Sequence, residues 1–364
     1  MTNFHFKGGF ILAFSLLITC SPPAVITRTD GTDPLRYEGE KHFKNITQLT
    51  FGGNNAEAYW SFDSKHLTFQ SDFGSWSNGC DQIFLMTPGK DDLKNNKPVR
   101  ISTGTGRTTC SYFMPGNKKI LYASTHAAGS TCPPAPERTG GKYVWAVYES
   151  FDIYVADLEG KIVSRLTDHP GYDAEATVSP KGDKIVFTSV RDGDLDLYTM
   201  DTDGKNVKRV TSELGYDGGA FFSPDGSKLV FRASRPQTEE AKKEYLDLLK
   251  QGLVQPTEME IFVCNTDGSG LKQVTKLGKA NWAPYYLPDN KRILFSSNHA
   301  ASRGYSFNLY MINEDGTGLE KVSFDQTFDS FPMFSPNGKY LVFASNRFNG
   351  GTRDTNLFVT EWVE

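Results

Sequence analysis

Phe221–Phe231 reads FFSPDGSKLVF, two short apolar runs folded around a Pro-Asp-Gly reversal. The proline presets one turn dihedral and the glycine supplies a positive one, so the phrase is a β-hairpin. Variants recur as TVSPKGDKIVF from Thr177, MFSPNGKYLVF from Met333 and YLPDNKRILF from Tyr286. Aligned on the turn, with WSFDSKHLTFQS from Trp60 and FMPGNKKILYAS from Phe113, the hairpin occurs six times.

Each copy is followed by a third apolar segment, such as DLYTMD from Asp196 or NLFVTE from Asn356. A short fourth segment ends in Thr or Ser (RIST, SRLT, KRVT, KQVT, EKVS) after five of them. The sixth such segment, TQLT at Thr47–Thr50, precedes the first hairpin, and nothing equivalent follows Asn356. A radial array of four-stranded sheets closes without an open edge if that leading strand completes the last sheet. The expected fold is therefore all-β: a six-bladed β-propeller of four-stranded antiparallel blades over residues 44–364, closed by the N-terminal strand. The 26 Phe and 16 Tyr and the scarcity of helical periodicity agree with this. The net charge of −4, with acids and bases interspersed, leaves no basic footprint for nucleic acid.

The pattern SPDG…LVF.S.R…LY.M..DG…LT resembles the PD40 repeat of TolB-like six-bladed propellers. CDQIF (Cys80–Phe84), GRTTC (Gly106–Cys110), YDAEATVSP (Tyr172–Pro180) and YDGGAFFSP (Tyr216–Pro224) resemble stretches of exported bacterial TolB-like proteins. TolB itself carries an N-terminal α/β domain, and no such segment is expected here. Residues 1–20 have the form of a signal peptide, with Lys7 ahead of GGFILAFSLLIT and then Cys20. LITC at Leu17–Cys20 resembles a lipobox, which implies lipidation of Cys20. Residues 21–43, rich in Pro and Thr at their start, are expected to be a flexible tether. The protein is then exported, lipid-anchored in the bacterial envelope and facing the periplasm.

Three blades carry extra length, each time between second and third strands: Asp72–Cys80, Thr125–Ser150 and Arg235–Glu258. The last should hold a helix over Glu239–Gln251. All three emerge on one face, which is how a binding surface is built on a rigid scaffold. Seven residues before each turn proline or its equivalent stand Asn55, Thr108, Asp173, Asp217, Asn281 and Asp329, a candidate polar ring at the channel mouth. The competing reading of these side chains is local capping of backbone groups. Two positions later the series runs Glu57, Cys110, Glu175, Gly219, Ala283, Phe331, polar on three consecutive blades and small or apolar on the rest. That asymmetry points to a lopsided pocket, with Glu57, Glu175 and nearby His126 as further ligand-binding candidates.

Cys80, Cys110 and Cys132 fall on the elaborated face, and export permits a disulfide between two of them, Cys80–Cys110 being the favoured pair. The rival use of these residues is a metal site drawn from Cys110, His126 and Cys132 with a carboxylate, suited to zinc, copper or another divalent ion. No cofactor is otherwise expected. No catalytic triad or phosphate-binding loop is present, GSWSNG at Gly74–Gly79 having the wrong spacing for a nucleophile elbow. The leading expectation is a monomeric binding or scaffold module for an envelope protein segment or glycan. The alternative is a metal-assisted lyase or hydrolase acting on acidic saccharides at the channel mouth.

Overall fold

The Thr or Ser that closes each fourth strand, in blade 1 Ser102 rather than the Thr103 that ends RIST, has a shared structural task. In every blade its hydroxyl accepts the backbone N–H of the third strand's second residue. The pairs are Leu357 to Thr50, Ile83 to Ser102, Ile153 to Thr167, Leu197 to Thr211, Ile261 to Thr275 and Leu309 to Ser323, all at 2.8–3.0 Å. The hairpin glycines Gly182, Gly226 and Gly338 adopt φ near 70°, as the reversal demands. Repetition of these local bonds is what the repeated sequence encodes.

The structure is a computed structural model and describes residues 33–77, 79–136, 141–302 and 305–364. It contains six four-stranded antiparallel sheets, each ordered from an innermost to an outermost strand. Blade 3, for example, runs Asp173–Val178, Lys184–Ser189, Asp196–Asp201 and Lys208–Arg209. Blade 6 combines Asp329–Phe334, Tyr340–Ser345 and Asn356–Trp362 with the N-terminal strand Phe43–Gln48. Thr47 pairs with Val359 and Gln48 with Phe358, so the leading segment closes the ring. Between blades the cores are aliphatic and aromatic, as in the cluster of Leu294, Leu309, Phe334, Leu341, Phe343 and Phe358. Among the described residues no helix is long and apolar enough to cross a membrane.

The tether expected over 21–43 does not reach Phe43. From Asp33 onward the chain is packed against blade 6: Asp33 accepts the Ile46 N–H at 2.7 Å, and Tyr37 donates to Asp325 at 2.7 Å. Glu40 pairs with Arg347 at 3.0 Å, both side chains fully buried. His42 stacks on Trp362, with ring centroids 4.7 Å apart. The Pro- and Thr-rich reading missed that Asp33 and Glu40 are buried partners rather than solvated charges. The signal peptide, Cys20 and residues 21–32 lie outside the described residues.

The blade 4 insertion forms a helix over Glu239–Leu249, capped by Thr238, whose hydroxyl accepts the Ala241 N–H at 3.2 Å. Its apolar face buries Tyr245 and Leu248. After the helix, Leu253–Val254 pairs antiparallel with Trp145–Ala146 of the blade 2 insertion. These two insertions thus meet in a small sheet of their own.

Candidate functional site

A β-bulge interrupts each innermost strand. In five blades the ladder register shifts across two unpaired residues, as between Ala56 and Tyr59 or Ala174 and Thr177; in blade 2 it shifts between Thr109 and Ser111. One residue of each bulge sits in the left-handed region: Glu57, Cys110, Glu175, Gly219, Ala283 and Phe331, with φ from 43° to 58°. For the five that are not glycine this conformation costs on the order of 1–2 kcal/mol each. The return is directional, because a bulge re-aims its side chain out of the pleat. Glu57, Cys110, Glu175, Ala283 and Phe331 line one cavity of about 500 Å³ at the insertion end of the channel. The sequence series that stood polar on blades 1 to 3 is therefore the wall of a real chamber.

Glycine at position 219 leaves room that another side chain takes. A Cβ there would lie 1.9 Å from the Arg232 guanidinium, which reaches in from the second strand of blade 4. Arg232 pairs with Glu175 and receives the Tyr216 hydroxyl as acceptor at 2.7 Å. Glu175 accepts three further bonds beside the pair with Arg232: from Tyr216 at 2.7 Å, Thr188 at 2.8 Å and the Gly219 N–H at 3.0 Å. The guanidinium lies over the rings of Trp145 and Tyr216, 5.3 and 5.2 Å from their centroids. Its Nε finds no acceptor and is sealed from the cavity.

Glu57 is set differently. It accepts the Tyr59 hydroxyl at 2.9 Å and a bond from the Cys110 thiol, and among the described residues no basic side chain pairs with it. Burial pushes its carboxyl up, the hydrogen bonds from Cys110 and Tyr59 pull it back, and the Glu175 charge adds to the rise. Burial, with the charges of Glu57 and Glu175, also holds the Cys110 thiol far above its usual range. Cys110 is thus a neutral donor rather than a thiolate nucleophile.

The chamber has a roof. Tyr143–Tyr148 (Tyr143, Val144, Trp145, Ala146, Val147, Tyr148) and Val254 complete its lining, so the sheet formed by the two insertions spans the mouth. Trp145 packs on Trp282 with centroids 5.1 Å apart, and Trp282 donates to the Pro256 carbonyl at 2.9 Å. Below the bulges, Tyr59, Tyr112, Phe221 and Tyr285 fill the axis, with ring centroids 5.2–6.5 Å apart. A second hollow of about 240 Å³ opens at the turn end, walled by Trp60, Phe62 and the turn prolines Pro180, Pro224, Pro288 and Pro336.

Several sequence candidates fall elsewhere. Asn55, Thr108, Asp173, Asp217, Asn281 and Asp329 are all buried to 1% exposure or less. They tie adjacent segments together: Asn55 donates to the Thr355 carbonyl at 3.0 Å, Thr108 to Asp81 at 2.9 Å and Asn281 to Met259 at 2.8 Å. Asp173, Asp217 and Asp329 pair with Arg191, Arg235 and Arg347. Of these six only Thr108 touches the chamber, so the expected polar ring is a set of interstrand locks. His126 is not in the chamber wall either. Its Nδ1 bonds Ser124 at 2.9 Å and its ring packs on Tyr154 at 4.3 Å. His299 does the same with Ser297 and Tyr310. Arg191 and Arg347 occupy the matching place, each with Nε bonded to the strand-ending serine.

The disulfide joins Cys80 to Cys132, Cα atoms 5.9 Å apart, not Cys80 to Cys110. The bulge turns Cys110 into the chamber, away from the loop bearing Cys80, while the blade 2 insertion folds back over blade 1. Cys132 is thereby removed from the expected metal set of Cys110, His126 and Cys132. Among the described residues no group of three His, Cys, Asp or Glu side chains is placed to hold a metal ion. Arg232 and Tyr216 are the site residues that sequence reasoning missed, while the aromatic stretch Tyr143–Tyr148, which the sequence offers as part of a binding surface, lies in the chamber lining.

Comparison with known proteins gives a consistent picture of the fold. Residues 126–248 match the TolB beta propeller domain, PD40. A protein assigned as TolB from Agrobacterium tumefaciens is similar at 20% identity and a TM-score of 0.55, over 86% of this chain and 91% of that one. TolB from Acinetobacter baumannii is similar at 18% identity and a TM-score of 0.52, over 86% of this chain and 64% of that one. An oligogalacturonate lyase in complex with manganese is similar at 14% identity and a TM-score of 0.50, over 88% of this chain and 93% of that one. At these identities the likeness to the solved structures is one of fold.

Proposed function

Given that the chain is a TolB-like six-bladed β-propeller with PD40 repeats, we propose that it is an exported binding module whose ligand site is the roofed chamber. The fold supports a binding or scaffold role, and the ligand is an envelope component, a protein segment or a glycan. One observation carries this reading: insertions from blades 2 and 4 pair with each other, and their strands line the same cavity as five of the bulge residues. A chamber of about 500 Å³ with aromatic walls and a few polar groups has the size and composition of an organic ligand site. The roof strands are joined by two residue pairs and the bond from the Val147 N–H to the Gly252 carbonyl, so few backbone bonds hold the two insertions together. Anchoring through a lipidated Cys20 would hold this chamber near a membrane surface.

The reading as a metal-assisted lyase or hydrolase on acidic saccharides lacks a donor set among the described residues, and no step is derived through a metal. The binding reading is tested by pull-down from detergent-solubilised envelopes of the source organism. Wild type is compared with Trp145→Ala/Val254→Ala in the roof and with Phe62→Ala at the turn end. The expected result is a component retained by wild type and the turn-end variant and lost from the roof variant. Equal retention by the roof variant, or loss only at the turn end, would move the site off the chamber.

A further inference from the structure

The charges facing the chamber do not balance. Among the described residues its lining contains the carboxylates Glu57, Asp81 and Glu175 against the guanidiniums Arg107 and Arg232, three acids to two bases. Asp81 and Arg107 pair at 2.5 Å, and Glu175 and Arg232 pair with each other. Glu57 is left over. Its hydrogen-bond partners, Tyr59 and Cys110, are neutral donors, and its side chain is only half-buried, open on the cavity it lines. A carboxylate in an enclosed apolar space is costly until a cation joins it.

The walls suit such a cation. Among the described residues Tyr172 and Phe331 line the cavity with no positive group over their faces, unlike Trp145 and Tyr216, which Arg232 already covers. Ring faces attract ammonium groups, more strongly where water is excluded. An anion would meet no uncompensated positive charge among the described lining residues, since Glu175 pairs with Arg232 and Asp81 with Arg107. We infer that the chamber selects a small organic ligand bearing a protonated amine, seated between the Glu57 carboxylate and the aromatic walls. The inference rests on the chamber being the binding site and specifies what enters it.

A dependence on pH follows. Tyr59, Cys110, Glu175 and Arg232 are the titratable and charged groups facing Glu57. Burial raises its carboxyl, and an ammonium competes with the proton that this favours. Binding should therefore strengthen as pH rises through the Glu57 titration, the reverse of the behaviour of an anionic ligand.

The test uses three six-carbon polyols that differ at C1, where glucamine carries an ammonium, sorbitol a hydroxyl and gluconate a carboxylate. Titration calorimetry and tryptophan emission report binding to the full chain. The expected result is glucamine binding at least about tenfold tighter than sorbitol, with gluconate weakest. Glu57→Gln should abolish the glucamine preference, and Glu57→Asp should retain part of it. Equal or tighter binding of sorbitol or gluconate overturns the amine assignment, as does a glucamine preference that survives Glu57→Gln. Absence of glucamine binding overturns it too, and the roof-variant pull-down then reports separately whether the chamber is the site at all. A fall in thermal unfolding temperature common to Gln and Asp variants would mark a folding effect, and the Asp variant's retained preference then decides the outcome.

Discussion

Arg347→Met is the perturbation that most sharply tests how the N-terminal segment is locked to the ring. The guanidinium is fully buried and pairs with Glu40 at 3.0 Å and Asp329 at 3.2 Å. It also donates to the Leu35 carbonyl at 3.1 Å and lies 4.7 Å from the Phe343 ring centroid. Methionine keeps much of the volume but strands two buried carboxylates. Breaking a buried pair from one side costs about 3–5 kcal/mol, a large part of the roughly 5–15 kcal/mol that holds a domain folded. The pH dependence has a definite sign. Burial already raises the Glu40 and Asp329 carboxyls above their usual range against the pull of Arg347, and removing the arginine raises them further. Such groups favour the folded state when protonated and lose that contribution as pH rises through the folded pKa. The variant's deficit is therefore largest at about pH 8 and shrinks toward about pH 5. Urea unfolding followed by tryptophan emission measures both quantities, with Arg347→Met/Glu40→Gln recovering part of the loss. A loss below about 1 kcal/mol, or one that grows toward acid, would refute the lock.

Peptide mapping without reduction should join Cys80 to Cys132 and leave Cys110 and Cys264 as thiols. Cys80→Ser/Cys132→Ser should cost at most about 4 kcal/mol for the 52-residue separation and should expose the blade 2 insertion to limited proteolysis. Burial pushes Asp217 up to about 7 even beside Arg235, so wild-type stability should fall as pH climbs from about 4 toward 7. Asp217→Asn should flatten that window by up to about 1.4 kcal/mol per pH unit, as urea midpoints would show. Arg232→Met should destabilise by about 3 kcal/mol or more by leaving Glu175 unpaired, and Arg232→Met/Glu175→Gln should recover most of it. His126→Ala should leave glucamine binding unchanged, because the imidazole packs on Tyr154 outside the chamber.

The architecture could be read from residues because each repeat carries its own hydrogen bonds. The terminal Thr or Ser, the turn glycine and the alternating apolar positions all act within one blade, so their recurrence counts the blades. The strand at Thr47–Thr50 was recognisable by the same bond, made in the structure from Leu357 N–H to Thr50. The chamber wall was legible for a similar reason: the left-handed bulge falls at one aligned column, and Glu57, Cys110 and Glu175 stand out against Gly219, Ala283 and Phe331. Arg232 was missed, yet it had a signal. It is the one charged residue in a column otherwise occupied by Gln70, Ala123, Thr188, Ser296 and Ala344, on the blade whose bulge is glycine. His126 could have been corrected likewise, since its column holds Arg191, Arg235, His299 and Arg347. What no local pattern encodes is contact between distant insertions. The Cys80–Cys132 bond and the pairing of Trp145–Ala146 with Leu253–Val254 depend on how whole loops fold back over the ring.

Hydrogen–deuterium exchange with the retained envelope component bound gives the most direct test of where recognition occurs. Slowed exchange at residues 143–148 and 253–254 and at the six bulges is the predicted footprint. Protection confined instead to the turn end, around Pro180, Pro224, Pro288 and Pro336, would contradict the assignment of the chamber as the binding site.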